Sequence, residues 1–247
     1  IGHQRAICIG LSYLSANYAY DCVIVMDADG EDKVADINKL YIENKKNGNN
    51  IIFARRTKRH EGLSFRLFYF IYKFIFYTLT GNRINFGNFC LIPGSVAKRL
   101  VNVSDIWNHF ACGIMRSKIR YTSLDIERGV RYKGVSKMNF TTLVIHGLSA
   151  VSVFMDKVAI RLIFTMSIAI VVAILGILVV SFFKIFTDMA IPGWATSAVV
   201  GFIIIMLQSV LVILFMIFMI LNGRNQRLLI PIRDYKDFID RVINVKS

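Results

Sequence analysis

Apolar positions along this chain change their spacing several times, and each change marks an element. Ile7, Leu11 and Leu14 recur at helical intervals with Ala6 and Gly10 beside them, which predicts a short helix over residues 1–14. The β-branched run at 23–26 does not alternate and stops abruptly at Asp27-Ala28-Asp29-Gly30-Glu31-Asp32, the pattern of a buried strand opening into an acidic loop. Residues 34–47 put Ile37, Leu40 and Tyr41 on one helical face and end at Gly48, a residue suited to a helix C-terminus. A second buried strand is predicted at 51–54 and another at 121–126. Helix, strand, acidic loop, helix and strand in that order predict half of a parallel α/β domain.

The rest of the chain is patterned for a different solvent. Residues 64–77 are crowded with aromatic rings, yet Arg66 and Lys73 stand seven apart and share a helical face with Tyr69 and Tyr77. A helix over 63–79 with that profile suits the membrane interface, with a buried core helix as the alternative. A glycine-containing turn at 85–89, a helix after Pro93 and a polar-aromatic loop at 105–109 follow. An amphipathic helix over 139–157 leads into two apolar runs, 158–183 and 195–221, each long enough to cross a bilayer. Lys133, Lys137, Lys157 and Arg161 flank the first run, and Arg224, Arg227 and Arg233 follow the second. The connection carries only Lys184 and Asp188. The positive-inside rule then predicts a two-span protein of the inner or plasma membrane, with the α/β domain and a tail at 222–247 in the cytoplasm.

Composition narrows the classes. A hydrophobic share of 55% reflects the two apolar runs, and a net charge of +14 calls for an anionic partner. Nucleic acid is a poor fit, because the aromatic residues belong to an apolar helix rather than to a basic base-stacking groove. Transport is disfavoured too, since Gln208 is the one clear polar site within the spans. Cys8, Cys22, Cys90 and Cys112 have no metal-finger or redox spacing and read as reduced thiols.

Four stretches carry candidate chemistry. Asp27 and Asp29, at the carboxyl end of a buried strand, sit where open α/β sheets bind ligands. Their oxygens suit Mg²⁺ or Mn²⁺ bridging to a diphosphate, and an acidic turn without metal is the plainer alternative. Gly2, His3 and Gln4 begin the first helix, where free backbone N–H groups can face an anion or a nucleobase. The stretch 128–137, dense in cations and glycine, either wraps a diphosphate or is a mobile surface loop. The run Arg55, Arg56, Lys58 and Arg59 is likewise either a phosphate contact or a solvated loop.

Taken together, G-H-Q-x-A-x-x-x-G, V-x-V-M-D-A-D, R-x-x-G-x-S-K and two C-terminal spans resemble the family 2 glycosyltransferases. Within them the chain is most similar to the polyprenyl-phosphate glycosyltransferases, relatives of dolichyl-phosphate mannose synthase. The resemblance implies a GT-A fold over residues 1–138, a UDP- or GDP-sugar donor, a polyprenyl phosphate or other lipid acceptor, and transfer with inversion. It leaves room for a homo-oligomer. It assigns Asp27 and Asp29 to the metal and donor diphosphate, with Glu31, where relatives often carry Gln, completing that shell. Arg131, Ser136 and Lys137 fall near the donor diphosphate or acceptor phosphate, and Gly2, His3 and Gln4 beside the nucleotide pocket.

Two departures stand out. The family's opening strand, with its own nucleotide-binding aspartate, is missing, so the expectation is an N-terminally incomplete domain or an inactive remnant serving as a membrane anchor. Relatives often have Asp where this chain has Asn88, a position expected to bind substrate but unable to take a proton. A phosphate acceptor is already anionic and needs no base; a lipid or glycan hydroxyl does, and Asp105, with His109 behind it, is then the expected base. Processive polysaccharide synthesis is disfavoured, since no Q-x-x-R-W signature is present.

Overall fold

The computed structural model describes residues 2–56, 63–127, 129, 140–187, 193–226 and 228–243. Helix α1 (His3–Asn17) precedes strand β1 (Cys22–Val25), helix α2 (Ala35–Asn47), strand β2 (Ile51–Arg56) and helix α3 (Leu63–Thr80). Strand β3 (Cys90–Pro93), helix α4 (Gly94–Leu100), a 3₁₀ turn (Ser104–Trp107), helix α5 (Phe110–Arg116) and strand β4 (Tyr121–Ile126) follow. Helices α6 (Phe140–Ser152), α7 (Met155–Phe186), α8 (Trp194–Asn225) and the short α9 (Pro231–Asp234) complete the order, with a last 3₁₀ turn at Tyr235–Phe238. The chain forms two compact units: the residues up to Phe154 together with those from Leu228 onward, and Met155–Arg227 between them.

In the first unit the sheet order is β1-β3-β2-β4, with β3 antiparallel to both neighbours and β4 parallel to β2. This corrects the parallel half-domain read from the sequence: β1 and β2 point the same way, but β3 lies between them. Cys90-Leu91-Ile92-Pro93 is only four residues, buried on both faces, so it has neither length nor alternation to announce a strand. Pro93 ends the strand, and Gly94 follows where a Cβ would collide with the Tyr20 carbonyl oxygen. Ile51, Phe53, Cys90 and Ile92 face one core with Cys8 and Leu11 of α1, Leu100 and Phe110. Ile52 and Leu91 face the other, with Leu40 of α2. Tyr41, expected inward, is exposed and lies under Lys45, while Leu14 is also at the surface.

A third cluster joins Phe76 of α3, Cys112 of α5 and Ala150, Val153 and Phe154 at the end of α6. Here the helix expected to run through 139–157 breaks, because Val153 and Phe154 turn inward to fill this cluster. Helix α3 keeps Phe76 inside and leaves Phe70, Phe74 and Ile75 exposed, as does α6 with Ile145 and Leu148. Part of the segment expected as a cytoplasmic tail packs on the first unit's core. Ile232 N–H donates to the Val101 carbonyl at 3.0 Å, Tyr235 is buried beside Tyr13, and Phe238 meets Trp107. Its apolar residues are too few and too widely spaced among charges to show a period.

In the second unit α7 and α8 each have 32 residues, about 48 Å of helix at 1.5 Å per residue, long and apolar enough to cross a membrane. Phe202 of α8 lies over Gly176 of α7, where a Cβ would strike its ring.

Candidate functional site

Because β1, β2 and β4 share one direction, their carboxyl ends gather at one edge of the sheet. The acidic loop leaves β1 there. Asp32, almost fully buried, accepts from the Asp27 backbone N–H at 2.9 Å, and Asp29 Oδ1 accepts from the Glu31 N–H at 3.0 Å. Two such side-chain bonds hold the loop in a turn, with Gly30 at a φ of 88° that favours glycine. Asp32, which sequence reading left without a role, is the residue that pins this turn.

The loop leaving β4 docks on the same turn. Gly129 N–H donates to the Glu31 carbonyl at 2.8 Å, and a Cβ at Gly129 would lie 2.5 Å from the Gly30 carbonyl oxygen. The predicted R-x-x-G-x-S-K stretch begins two residues later; Arg131, Ser136 and Lys137 lie outside the described residues. Of the basic run at 55–59, Arg55 pairs with Asp125, its Nη2 donating to Oδ2 at 2.8 Å, and Lys58 and Arg59 also lie outside the described residues. Val25 pairs with Cys90 across the sheet, so Asn88 reaches the same sheet edge as Asp27.

The start of α1 meets the acidic loop directly. His3 Nε2 lies 3.1 Å from Asp27 Oδ1, and that bond raises the imidazole pKa against the opposing effect of burial. Gly2, at a φ of 89°, caps α1, and Gln4 Oε1 accepts from the Phe110 N–H at 2.7 Å. Gln4 Nε2 is buried with no partner among the described residues. The structure thus brings G-H-Q and D-x-D together across more than twenty residues of sequence.

Two further histidines line up behind His3. His146 of α6 interacts electrostatically with His3 and meets His109 in a tilted ring contact, ring centres 4.6 Å apart. Burial, then the neighbouring His146, lowers the His109 pKa to about 3. Its Nδ1 accepts from the Cys112 N–H at 3.3 Å, so this side chain caps α5 as a neutral imidazole. His146 was missed from sequence; its signal was one titratable residue on an otherwise apolar helix. The next residue, Gly147, lies against the Tyr72 ring of α3, so α6 links the strand-end site to the exposed aromatic helix. Beside α3 opens a cleft of about 360 Å³ lined by Tyr72, Lys73, Tyr77, Arg83 and Asn85 among others.

Asp105 does not present itself as a free base. It pairs with Arg116 of α5 at 3.2 Å, and Arg116 also donates to the Val153 carbonyl, which ties the 3₁₀ turn to the third cluster.

For a divalent cation, the loop offers Asp27, Asp29 and Glu31 within five residues, on a turn fixed by its own hydrogen bonds. Among the described residues, however, no three His, Cys, Asp or Glu side chains come together in a group that could hold a metal ion.

No family model matches the chain. A search of curated proteins finds it similar to the uncharacterized glycosyltransferase YkcC of Bacillus subtilis (strain 168), 26% identical over 205 residues. The alignment covers 81% of this chain, and the chain spans 61% of that relative's length, less than two thirds of it.

Proposed function

We propose that this chain is a family 2, GT-A glycosyltransferase that moves a sugar from a nucleotide-sugar donor to a polyprenyl phosphate at the cytoplasmic face of a membrane. The observation that carries this reading is the arrangement around α6. One residue of it, His146, sits with the His3–Asp27 group, and the next, Gly147, packs on an aromatic helix whose outer face is apolar. A site built that way suits an acceptor whose phosphate enters the sheet edge while its hydrocarbon tail stays in the bilayer. The two membrane-length helices and the similarity to a glycosyltransferase support the same reading.

The residues then divide the work. Asp27 and Asp29 would hold Mg²⁺ or Mn²⁺, which when bound supplies charge neutralisation for the leaving nucleoside diphosphate. His3 orients Asp27, and Asp32 holds the loop that carries both aspartates. Arg131, Ser136 and Lys137, on the stretch that follows the docked Gly129, are assigned to phosphate oxygens. An acceptor phosphate oxygen, anionic near neutral pH, attacks the anomeric carbon; the new C–O bond forms as the bond to the donor diphosphate breaks. No proton need be removed. This agrees with Asn88, with the neutral capping role of His109, and with Asp105 paired to Arg116.

The test is transfer by the protein in lipid vesicles with Mg²⁺ or Mn²⁺, a panel of labelled UDP- and GDP-sugars, and polyprenyl phosphate. We expect metal-dependent label in the organic phase that disappears in Asp29→Asn. Label appearing only on hydroxyl acceptors, or none with any donor, would overturn the assignment.

A further inference from the structure

We infer that α8 pairs with α8 of a second copy of this chain through Gln208. The inference rests on reading α7 and α8 as membrane spans. Between Ala198 and Leu221 the only polar side chains are Gln208 and Ser209. Ser209 is buried and satisfies itself by donating to the Ile205 carbonyl at 2.8 Å. Gln208 differs in both respects: it is exposed, and its amide has no hydrogen bond among the described residues.

Position makes that costly. Gln208 lies 14 residues after Trp194 and 17 before Asn225, about 21 and 26 Å from the two ends at 1.5 Å per residue, too far for a glutamine to reach either interface. Its own unit cannot serve it, because α8 turns a different face, with Ala195, Ser209 and Met216, inward. At 100° per residue Gln208 shares its face with Gly201, Ile204, Leu211 and Phe215. The last three are exposed, and a Cβ at Gly201 would meet nothing within 4 Å.

The chemistry selects the occupant. Lipid tails offer neither donor nor acceptor at that depth. A carboxamide has both, so two copies related by a two-fold axis can each donate one N–H and accept one at the same position. The open backbone at Gly201, two turns away on the same face, lets a second helix approach closely.

Energy transfer between donor- and acceptor-labelled full-length chains in phosphatidylcholine vesicles, over a lipid dilution series, tests this. Resistance to alkaline carbonate extraction reports insertion separately. We expect self-association that weakens roughly 3- to 10-fold in Gln208→Leu, is partly kept in Gln208→Asn and is unchanged in Ser209→Ala. An inserted chain that is monomeric, or that associates equally well with Leu at 208, overturns the inference while leaving the membrane reading intact. A chain extracted by carbonate overturns the membrane reading and the pairing with it.

Discussion

The acidic loop after β1 and the helix pair α7–α8 are built on opposite principles. In the helix pair nearly every side chain is interchangeable with another of like size, and exposed Leu, Ile, Val and Phe are the rule rather than the exception. In the loop, a few atoms hold one another in place: Asp32 on the Asp27 amide, Asp29 on the Glu31 amide, His3 on Asp27, and the Gly129 amide on the Glu31 carbonyl. Gln208 and the Gly176–Phe202 contact apart, the first region tolerates change because its requirement is an average property. The second does not, because each bond is individually needed. The junction between α3 and α6 combines both, apolar outside and tightly fitted inside.

That contrast sets the expected sizes of effect. Phe76→Ala removes the ring at the centre of the cluster joining α3, α5 and α6, where Phe76 also meets Phe154 edge-on. It should cost about 3–5 kcal/mol, read by denaturation of the solubilised protein, whereas Phe182→Ala on the exposed face of α7 should cost far less in the same assay. Equal losses would erase the distinction between the two regions.

Next in size is Asp29→Asn. The amide oxygen can still accept from Glu31, so the turn and its melting temperature should hold while transfer falls by roughly 100-fold or more. A parallel fall in stability and activity would make Asp29 a structural residue only.

Acid provides the third test. His109 takes a proton near 6.5 when unfolded but only near 3 in the folded chain. Between those values the unfolded state binds more protons, so stability is full above about 6.5 and declines as the pH falls toward 3. The slope from this group is at most about 1.4 kcal/mol per pH unit. His109→Asn, which keeps a capping acceptor for the Cys112 N–H, should flatten the stability profile between pH 6.5 and 4. An unchanged slope would show that this imidazole is not held neutral by its surroundings.

The smallest effect belongs to Arg55→Ala. The Arg55–Asp125 pair is bidentate but lies at the surface, so its removal should leave the melting temperature almost unchanged, and the small effect should shrink further in high salt. A larger loss would place this pair among the needed contacts of the sheet edge.

Sequence alone determined the features that depend on local composition and period. The two membrane-length helices, the aromatic helix α3, strands β1, β2 and β4 and the acidic loop all follow from runs or repeats contained in a few turns of chain. Only the tertiary structure decided that β3, four residues long, takes the middle of the sheet, or that Val153 and Phe154 interrupt the helix before α7. It alone brought His3, Asp27, His109 and His146 together from three helices and a loop. Such contacts depend on surfaces meeting across tens to hundreds of residues, as Ile232 does with Val101, and no local period encodes which surfaces will meet.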